Sequence, residues 1–310
     1  MTREGAARYA GFDIGGTELK FGLVDSAGRL VLKDRLPSPE SVADLMHAVR
    51  SAWEKLRATA GGGIRSCGFG VAGFFSLKEQ RILHSPNYPS LDDFPLRREL
   101  AKFIDAPFTI DNDANMAAFG EFAHGAGRGC RSLVLLTVGT GIGSGIIIGG
   151  RLWQGRCGFA GELGHITVNP EGEACGCGSR GCFETEVSGP KLVRNYRDFG
   201  GRRRVATPRD VYLLAKKRDR AALKSFERCG YYLGIGLGII INFLNPELVV
   251  IGGGVVAAGK YLLDPALEEA GRRSNPILFR CTKITRASLG NDAGLIGSAA
   301  WSRLHAGPRE

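Results

Sequence analysis

Four side chains in one glycine-rich stretch have the types and spacing of a metal cage. His165, Cys175, Cys177 and Cys182 read H-x9-C-x-C-x4-C. Three thiolates and one imidazole suit tetrahedral Zn2+, and a set with all four positions filled by protein is structural rather than catalytic. The other five cysteines, Cys67, Cys130, Cys157, Cys229 and Cys281, are scattered singly and read as core or surface positions. Two acids bracket the cluster: Glu162 stands three residues before His165, and Glu184 two residues after Cys182. Carboxylates fixed in a rigid loop suit a ligand rich in hydroxyl groups, whose protons they accept in charge-assisted hydrogen bonds.

A further acid, Asp113, follows Asp111 and Asn112 where a strand ends and a helix begins. An acid there can cap the helix. It can also accept a hydroxyl proton during phosphoryl transfer. Because Asp111 or Asn112 can supply the cap, capping does not require Asp113. Three glycine turns complete the inventory: Asp13-Ile14-Gly15-Gly16-Thr17, the run Gly139-Thr140-Gly141 to Gly145, and Gly252-Gly253-Gly254. Glycines let backbone N–H groups converge on a phosphate, the Thr17 hydroxyl adds a donor, and Asp13 could hold a Mg2+-bound water. The first turn lacks the Lys-Ser/Thr ending of a P-loop and the spacing of a dinucleotide fingerprint.

The elements that must position these groups follow from periodicity. Tyr9–Asp13 and Lys20–Val24 read as strands around the first turn, and a third lies near Arg29–Asp34. Ser41–Thr59 is a helix with Leu45, Val49, Trp53 and Leu56 on one face. Cys67–Val71 is a buried strand leading into a loop at Ala72–Ser76. Leu96–Phe103 is a helix, and Phe108–Ile110 is the strand that delivers Asp111–Asp113. Leu133–Val138 then enters the second turn. Gly139-Thr140-Gly141 lies 124 residues after Gly15-Gly16-Thr17, with strand, turn and strand in both places. That repetition points to a duplicated α/β unit. The last third is mostly helical, interrupted by a strand at Glu247–Ile251.

Composition sets the outer limits. The chain has 310 residues, 44% hydrophobic and 23% charged, as in an ordinary globular protein. A net charge of +10 suits a protein that binds polyanionic nucleotides. Its basic runs, Arg202–Arg204 and Lys216–Arg218, read as solvated faces rather than a nucleic-acid surface. No apolar run is long enough to span a bilayer, since the best, Ile235–Leu244, contains Gly236, Gly238 and Asn242. With no signal-peptide core at Met1–Arg8 and cysteines grouped for metal, the expected address is the cytoplasm.

Together these stretches resemble the ROK family of repressors and sugar kinases, within it the zinc-containing bacterial glucokinases. The resemblance is carried by Asp13-Ile-Gly-Gly-Thr17, Asn112-Asp-Ala-Asn115, Gly139-Thr-Gly-Ile-Gly143, Gly161-Glu-Leu-Gly-His165, Cys175-Gly-Cys-Gly-Ser-Arg-Gly-Cys-Phe-Glu184, Ser188-Gly189, Ile251-Gly-Gly-Gly254 and Gly290–Gly297, in that order. It implies an α/β fold of two actin/hexokinase-like (ribonuclease H-like) domains flanking a cleft, here 1–111 plus 293–310 and 112–292. It implies Asp113 as the base that takes the proton from the 6-hydroxyl of a hexose. Asn112, Glu162, His165 and Glu184 would hold other sugar hydroxyls, with one ring nitrogen of His165 on zinc. ATP, accompanied by Mg2+, would lie on Asp13, Gly15, Gly16, Thr17, Gly139, Thr140, Gly141, Gly253 and Gly254. A homodimer or homotetramer without nucleic-acid or membrane partners is implied as well.

The chain departs from the family pattern at the loop Ala72-Gly-Phe-Phe-Ser76, at Ser144 where glycine is usual, at Glu18, and at Thr185-Glu-Val187. The first departure leaves glucose, N-acetylmannosamine, N-acetylglucosamine and fructose open, with glucose favoured by overall likeness and by Ile82-Leu-His-Ser-Pro-Asn87. A sugar-sensing repressor of the family would carry a winged helix before this body. Only eight residues precede Tyr9 here, which argues against that class.

Overall fold

The computed structural model describes residues 7–61, 63–86 and 88–305. Asn87, the last residue of the Ile82–Asn87 run, lies outside the described residues. The chain opens with β1 (Arg8–Ile14), β2 (Glu18–Asp25) and β3 (Leu30–Pro37), an antiparallel ladder in which Asp13 pairs with Lys20. Phe12, Phe21 and Leu23 are buried, whereas β3, at the sheet edge, alternates half-buried and exposed positions over most of its length. In α1 (Val42–Ala60) the Ser41 hydroxyl accepts the Asp44 N–H and Gly61 closes the helix in the left-handed region. Leu45, Val49, Ala52, Trp53 and Leu56 form its buried stripe, as the spacing predicts.

β4 (Ile64–Val71) runs parallel to β1. Where a loop was expected at Ala72–Ser76, the chain forms a hairpin of β5 (Phe74–Ser76) and β6 (Arg81–His84), with Phe75 buried opposite Ile82. Three residues are too few for a period to show, and the partner strand fixes them. α2 (Leu96–Leu100) stops short of the expected Phe103, its end tightening into turns with Phe103 N–H on Leu100 O. β7 (Phe108–Asn112) pairs parallel to β4 and hands the chain to α3 (Asp113–His124).

The second half repeats the pattern. β8 (Leu133–Val138), β9 (Ile142–Ile148) and β10 (Arg151–Leu152) precede the cysteine-bearing segment. Helices α4 (Phe183–Val187), α5 (Gly189–Asp198), α6 (Pro208–Lys216) and α7 (Arg220–Leu244) follow. β11 (Leu248–Gly252), α8 (Lys260–Arg273), α9 (Pro276–Cys281), β12 (Lys283–Arg286) and α10 (Ala293–His305) complete the chain. The two five-stranded sheets have orders β3-β2-β1-β4-β7 and β10-β9-β8-β11-β12. β4 lies parallel between β1 and β7, and β11 parallel between β8 and β12. The topologies coincide position for position, which is the duplication suggested by the glycine turns.

The chain forms two compact units: Met1–Cys130 with Gly145–Gly161 and Ser288–Glu310, and Arg131–Ser144 with Glu162–Ala287. The first unit keeps α3, which the resemblance-based division at 111/112 assigns to the other domain. The cause is close helix packing. A Cβ on Gly297 of α10 would fall 1.7 Å from the Met116 carbonyl of α3, so the backbones meet without intervening side chains. In the second unit, Gly230, Gly234 and Gly238 let α7 sit directly on α8; a Cβ at Gly234 would lie 2.6 Å from Ala266 O. Gly238, with Gly236, also interrupts the apolar run Ile235–Leu244, and among the described residues no helix is long and apolar enough to cross a membrane.

Candidate active site

In the first unit the parallel strand β7 ends at Asn112, and α3 begins at Asp113. The Asn112 Oδ1 accepts the N–H groups of Ala114 (2.9 Å) and Asn115 (3.1 Å), so Asn112 is the N-cap. Its Nδ2 donates to Gly73 O at 3.2 Å. Asp113 occupies the first helical position, where its Oδ1 accepts the Ala114 N–H at 2.9 Å and the helix dipole favours a carboxylate.

Asp111, which the sequence offered only as a possible cap, lies beneath them at 3% exposure. It accepts the Asn112 N–H (2.8 Å), the Asn115 Nδ2 (2.9 Å) and the Gln154 Nε2. Burial pushes its carboxyl up to about 6, while those three donors work in the opposite direction. Gln154 escaped the sequence reading altogether, because nothing local marks it.

The first glycine turn joins β1 to β2. Gly15 N–H donates to Glu18 O (3.0 Å), and Ser38 ties the turn down through Gly15 O and Thr17 O. Gly16 and Thr17 remain exposed. Asp13 is paired across the ladder: Lys20 Nζ lies 3.0 Å from its Oδ2. Burial raises the Asp13 pKa, and Lys20 opposes that rise. The pair was invisible until the register placed the two residues opposite each other. Glu18, a departure from the family pattern, forms an exposed pair with Arg35 at 3.1 Å. Gly294 explains part of the closing glycine motif, since a Cβ there would lie 3.0 Å from the Asp13 carboxylate.

In the second unit Gly139 N–H donates to Gly141 O (2.9 Å), and Gly189 N–H donates to Gly139 O (2.7 Å). Thr140 at the tip is exposed. Glu184 braces this turn: its Oε2 accepts the Ile142 N–H at 3.0 Å, and a Cβ on Gly141 would come within 2.0 Å of that oxygen. Gly253 has φ +94, and a Cβ there would meet Val138 O at 2.3 Å, so the third turn requires glycine. Gly254 begins a short 3-10 turn.

His165 Nδ1 and the Sγ atoms of Cys175, Cys177 and Cys182 all lie within 4.8 Å of one another. Cys177 and Cys182 sulfurs are 3.6 Å apart, and the Cys175 sulfur is 3.7 Å from His165 Nδ1. A tetrahedron with Zn–S of roughly 2.3 Å spaces its sulfurs by about 3.8 Å. The donor set therefore fits Zn2+ in both chemistry and size. Burial, reinforced by the neighbouring thiols, pushes the Cys182 thiol up to about 12, so that sulfur keeps its proton unless a cation displaces it.

His165 turns Nδ1 to the sulfurs and Nε2 to Glu162, 3.9 Å from its Oε2. Burial raises the Glu162 pKa, His165 lowers it, and nearby Glu184 raises it further. Two other departures from the pattern have local roles. The Ser144 hydroxyl accepts the Leu163 N–H at 3.2 Å and steadies the turn bearing His165. Buried Glu186 accepts Asn169 Nδ2 at 2.8 Å and faces Lys191 at 3.8 Å, linking the cysteine segment to α5. In the first unit Phe74 meets Phe159 edge to face at 5.6 Å.

The sequence profile of the ROK family matches residues 9–304. A glucokinase from Halalkalibacterium halodurans is 36% identical over 315 aligned positions, covering 93% of each chain. An N-acetylmannosamine kinase from Haemophilus influenzae is 31% identical over 95% of each chain. The crystal structure of a ROK family glucokinase from Streptomyces griseus, in complex with glucose and AMPPNP, superimposes with TM-score 0.82 at 32% identity, covering 96% of this chain and 100% of that one.

Proposed function

The chain belongs to the ROK family and is a sugar kinase; from that premise we propose that it transfers the γ-phosphoryl group of ATP to the 6-hydroxyl of glucose. The observation that carries this reading is the division of labour where β7 meets α3. Asn112 caps the helix, so the cap does not require the Asp113 carboxylate, which sits at the first helical position where the strand ends. Asp113 takes the 6-hydroxyl proton as that oxygen attacks the γ-phosphorus, and the bond to the bridging oxygen of ADP breaks. The other hydroxyls fall to Asn112, Glu162, His165 and Glu184, a role supported by the paired Glu162 carboxylate and His165 Nε2.

The glycine turns at Gly15–Thr17 and Gly139–Gly141, with Gly253 and Gly254, carry the nucleotide in this reading, and Asp13 would hold a water of the Mg2+ that accompanies ATP. His165, Cys175, Cys177 and Cys182 would hold Zn2+, which would cross-link the loop as a structural metal. His165 thereby keeps one tautomer and one ring orientation, and Nε2 stays presented beside Glu162. Glu184 couples the same loop to the second glycine turn through its bond to Ile142. A cytoplasmic address and a homodimer or homotetramer belong to the same reading.

A second reading, phosphorylation of N-acetylmannosamine, N-acetylglucosamine or fructose, is favoured by the Haemophilus relative and by the Phe74–Phe75 hairpin. Release of ADP from Mg-ATP, measured by a coupled assay against glucose, mannose, fructose and the two N-acetyl sugars, separates them. Glucose should give the highest kcat/KM. A higher value for another sugar transfers the proposal to that sugar, and no turnover with any of them overturns the kinase mechanism.

A further inference from the structure

Behind the catalytic turn lies a polar network that phosphoryl transfer itself does not use. Asp111 is the last fully buried residue of β7 before the turn, and both its oxygens are engaged. One oxygen accepts from the backbone of Asn112 and from the side chain of Asn115, one turn into α3; the other accepts from Gln154, in the segment after β10. Gln154 is itself pinned, since its carbonyl accepts the Ala160 N–H at 3.1 Å. Asn115 is 2% exposed, and its Oδ1 has no partner among the described residues, so its orientation rests on the bond to Asp111.

We propose that Asp111 is a positioning residue for phosphoryl transfer, and that in its ionised form it clamps Asn112, Asn115 and Gln154 and so fixes the turn that carries Asp113. An ionised carboxylate accepts from all three donors, whereas a protonated one gives up acceptor capacity and turns an O–H towards one of them. Loss of the clamp loosens the cap and with it the direction of the Asp113 carboxylate.

The surroundings leave the switch to Asp111 alone. Gly70 of β4 is its register partner, and β5 has no ionisable side chain. On α3 the ionisable groups are Asp113 at the start and Glu121 and His124 in the last turn; on α10 they are Arg303 and His305 at the far end. Arg151 and Arg156, which flank Gln154, are exposed. No charged side chain contributes appreciably to the Asp111 equilibrium, which burial raises to about 6.

This inference rests on Asp113 being the base, and its test separates the two. Turnover at saturating Mg-ATP and glucose is followed from acid to mildly alkaline pH for the wild type, Asp111→Asn, Gln154→Leu and Asp113→Asn. The wild type should lose kcat on the acid side with a midpoint near the Asp111 value of about 6. Gln154→Leu removes one donor to the anion, so its midpoint should move up by about half a unit or more. Asp111→Asn should lack that limb and turn over about tenfold more slowly at neutral pH. An unmoved limb in Gln154→Leu, or a wild type without one, overturns the proposal, and Gln154→Leu decides alone if Asp111→Asn does not fold. An active Asp113→Asn enzyme would instead refute the base.

Discussion

Asp13 and Lys20 face each other directly across the β1–β2 ladder, 3.0 Å apart, in a place where burial raises the carboxyl pKa and the ammonium opposes that rise. The ammonium favours the ionised carboxylate beside the first glycine turn, and Lys20→Met should remove that support. Without the ammonium the Asp13 pKa rises further above its ordinary value. The protonated fraction at any acid pH then increases, and the acid-side loss of Mg-ATP affinity moves to higher pH. The KM for Mg-ATP, measured against pH in wild type and variant, checks this; superimposable profiles would show that Lys20 does not govern Asp13. Residues of this kind explain what the sequence concealed. The cluster of His165, Cys175, Cys177 and Cys182 was legible because its four members are near neighbours in sequence. Lys20, Gln154 and the buried state of Asp111 depend on strand register and on contacts 43 residues apart, which no local spacing encodes.

At the scale of elements, the segment between β10 and α4 has almost no regular structure of its own. It is held by the isolated bridges Thr167–Cys182 and Ala174–Arg180, by Glu186 and by the clustered sulfurs. A metal bound there would contribute its binding free energy to stability. Cys177 is exposed, so Cys177→Ser changes little but the donor set. The variant should lose stoichiometric zinc and melt at least about 5 °C lower, the fall expected for a loss of roughly 2 kcal/mol in a domain of this size. Glucose affinity should fall with it, because His165 and Glu184 are anchored by the same loop. Metal content, melting temperature and affinity all unchanged would contradict a structural zinc. The large elements were well marked in sequence: α1 has its capping serine and five-residue stripe, and β7 and α3 meet where the polar triplet predicted. The β5–β6 hairpin was missed because three-residue strands carry no period.

For the whole molecule, the matched strand orders of the two sheets turn a faint repeat of glycine turns into a duplication of architecture. The close passage of α3 over α10 explains why α3 stays in the first unit. The net charge of +10 acts at this scale as well. A basic protein draws in a polyanionic nucleotide but not a neutral sugar. Raising salt from about 0.05 to 0.5 M should therefore raise the KM for ATP several-fold and leave that for glucose within about twofold; equal responses would remove electrostatic attraction from the account. The proposed base, Asp113, lies in the first unit together with the proposed sugar contact Asn112, whereas Glu162, His165 and Glu184 lie in the second. The most direct test of the account uses that division: glucose-dependent turnover of Mg-ATP and calorimetric glucose binding, measured on wild type and Asp113→Asn. The account predicts that kcat falls by at least about a hundredfold while the glucose Kd stays within about threefold. Near-normal turnover by Asp113→Asn would contradict it.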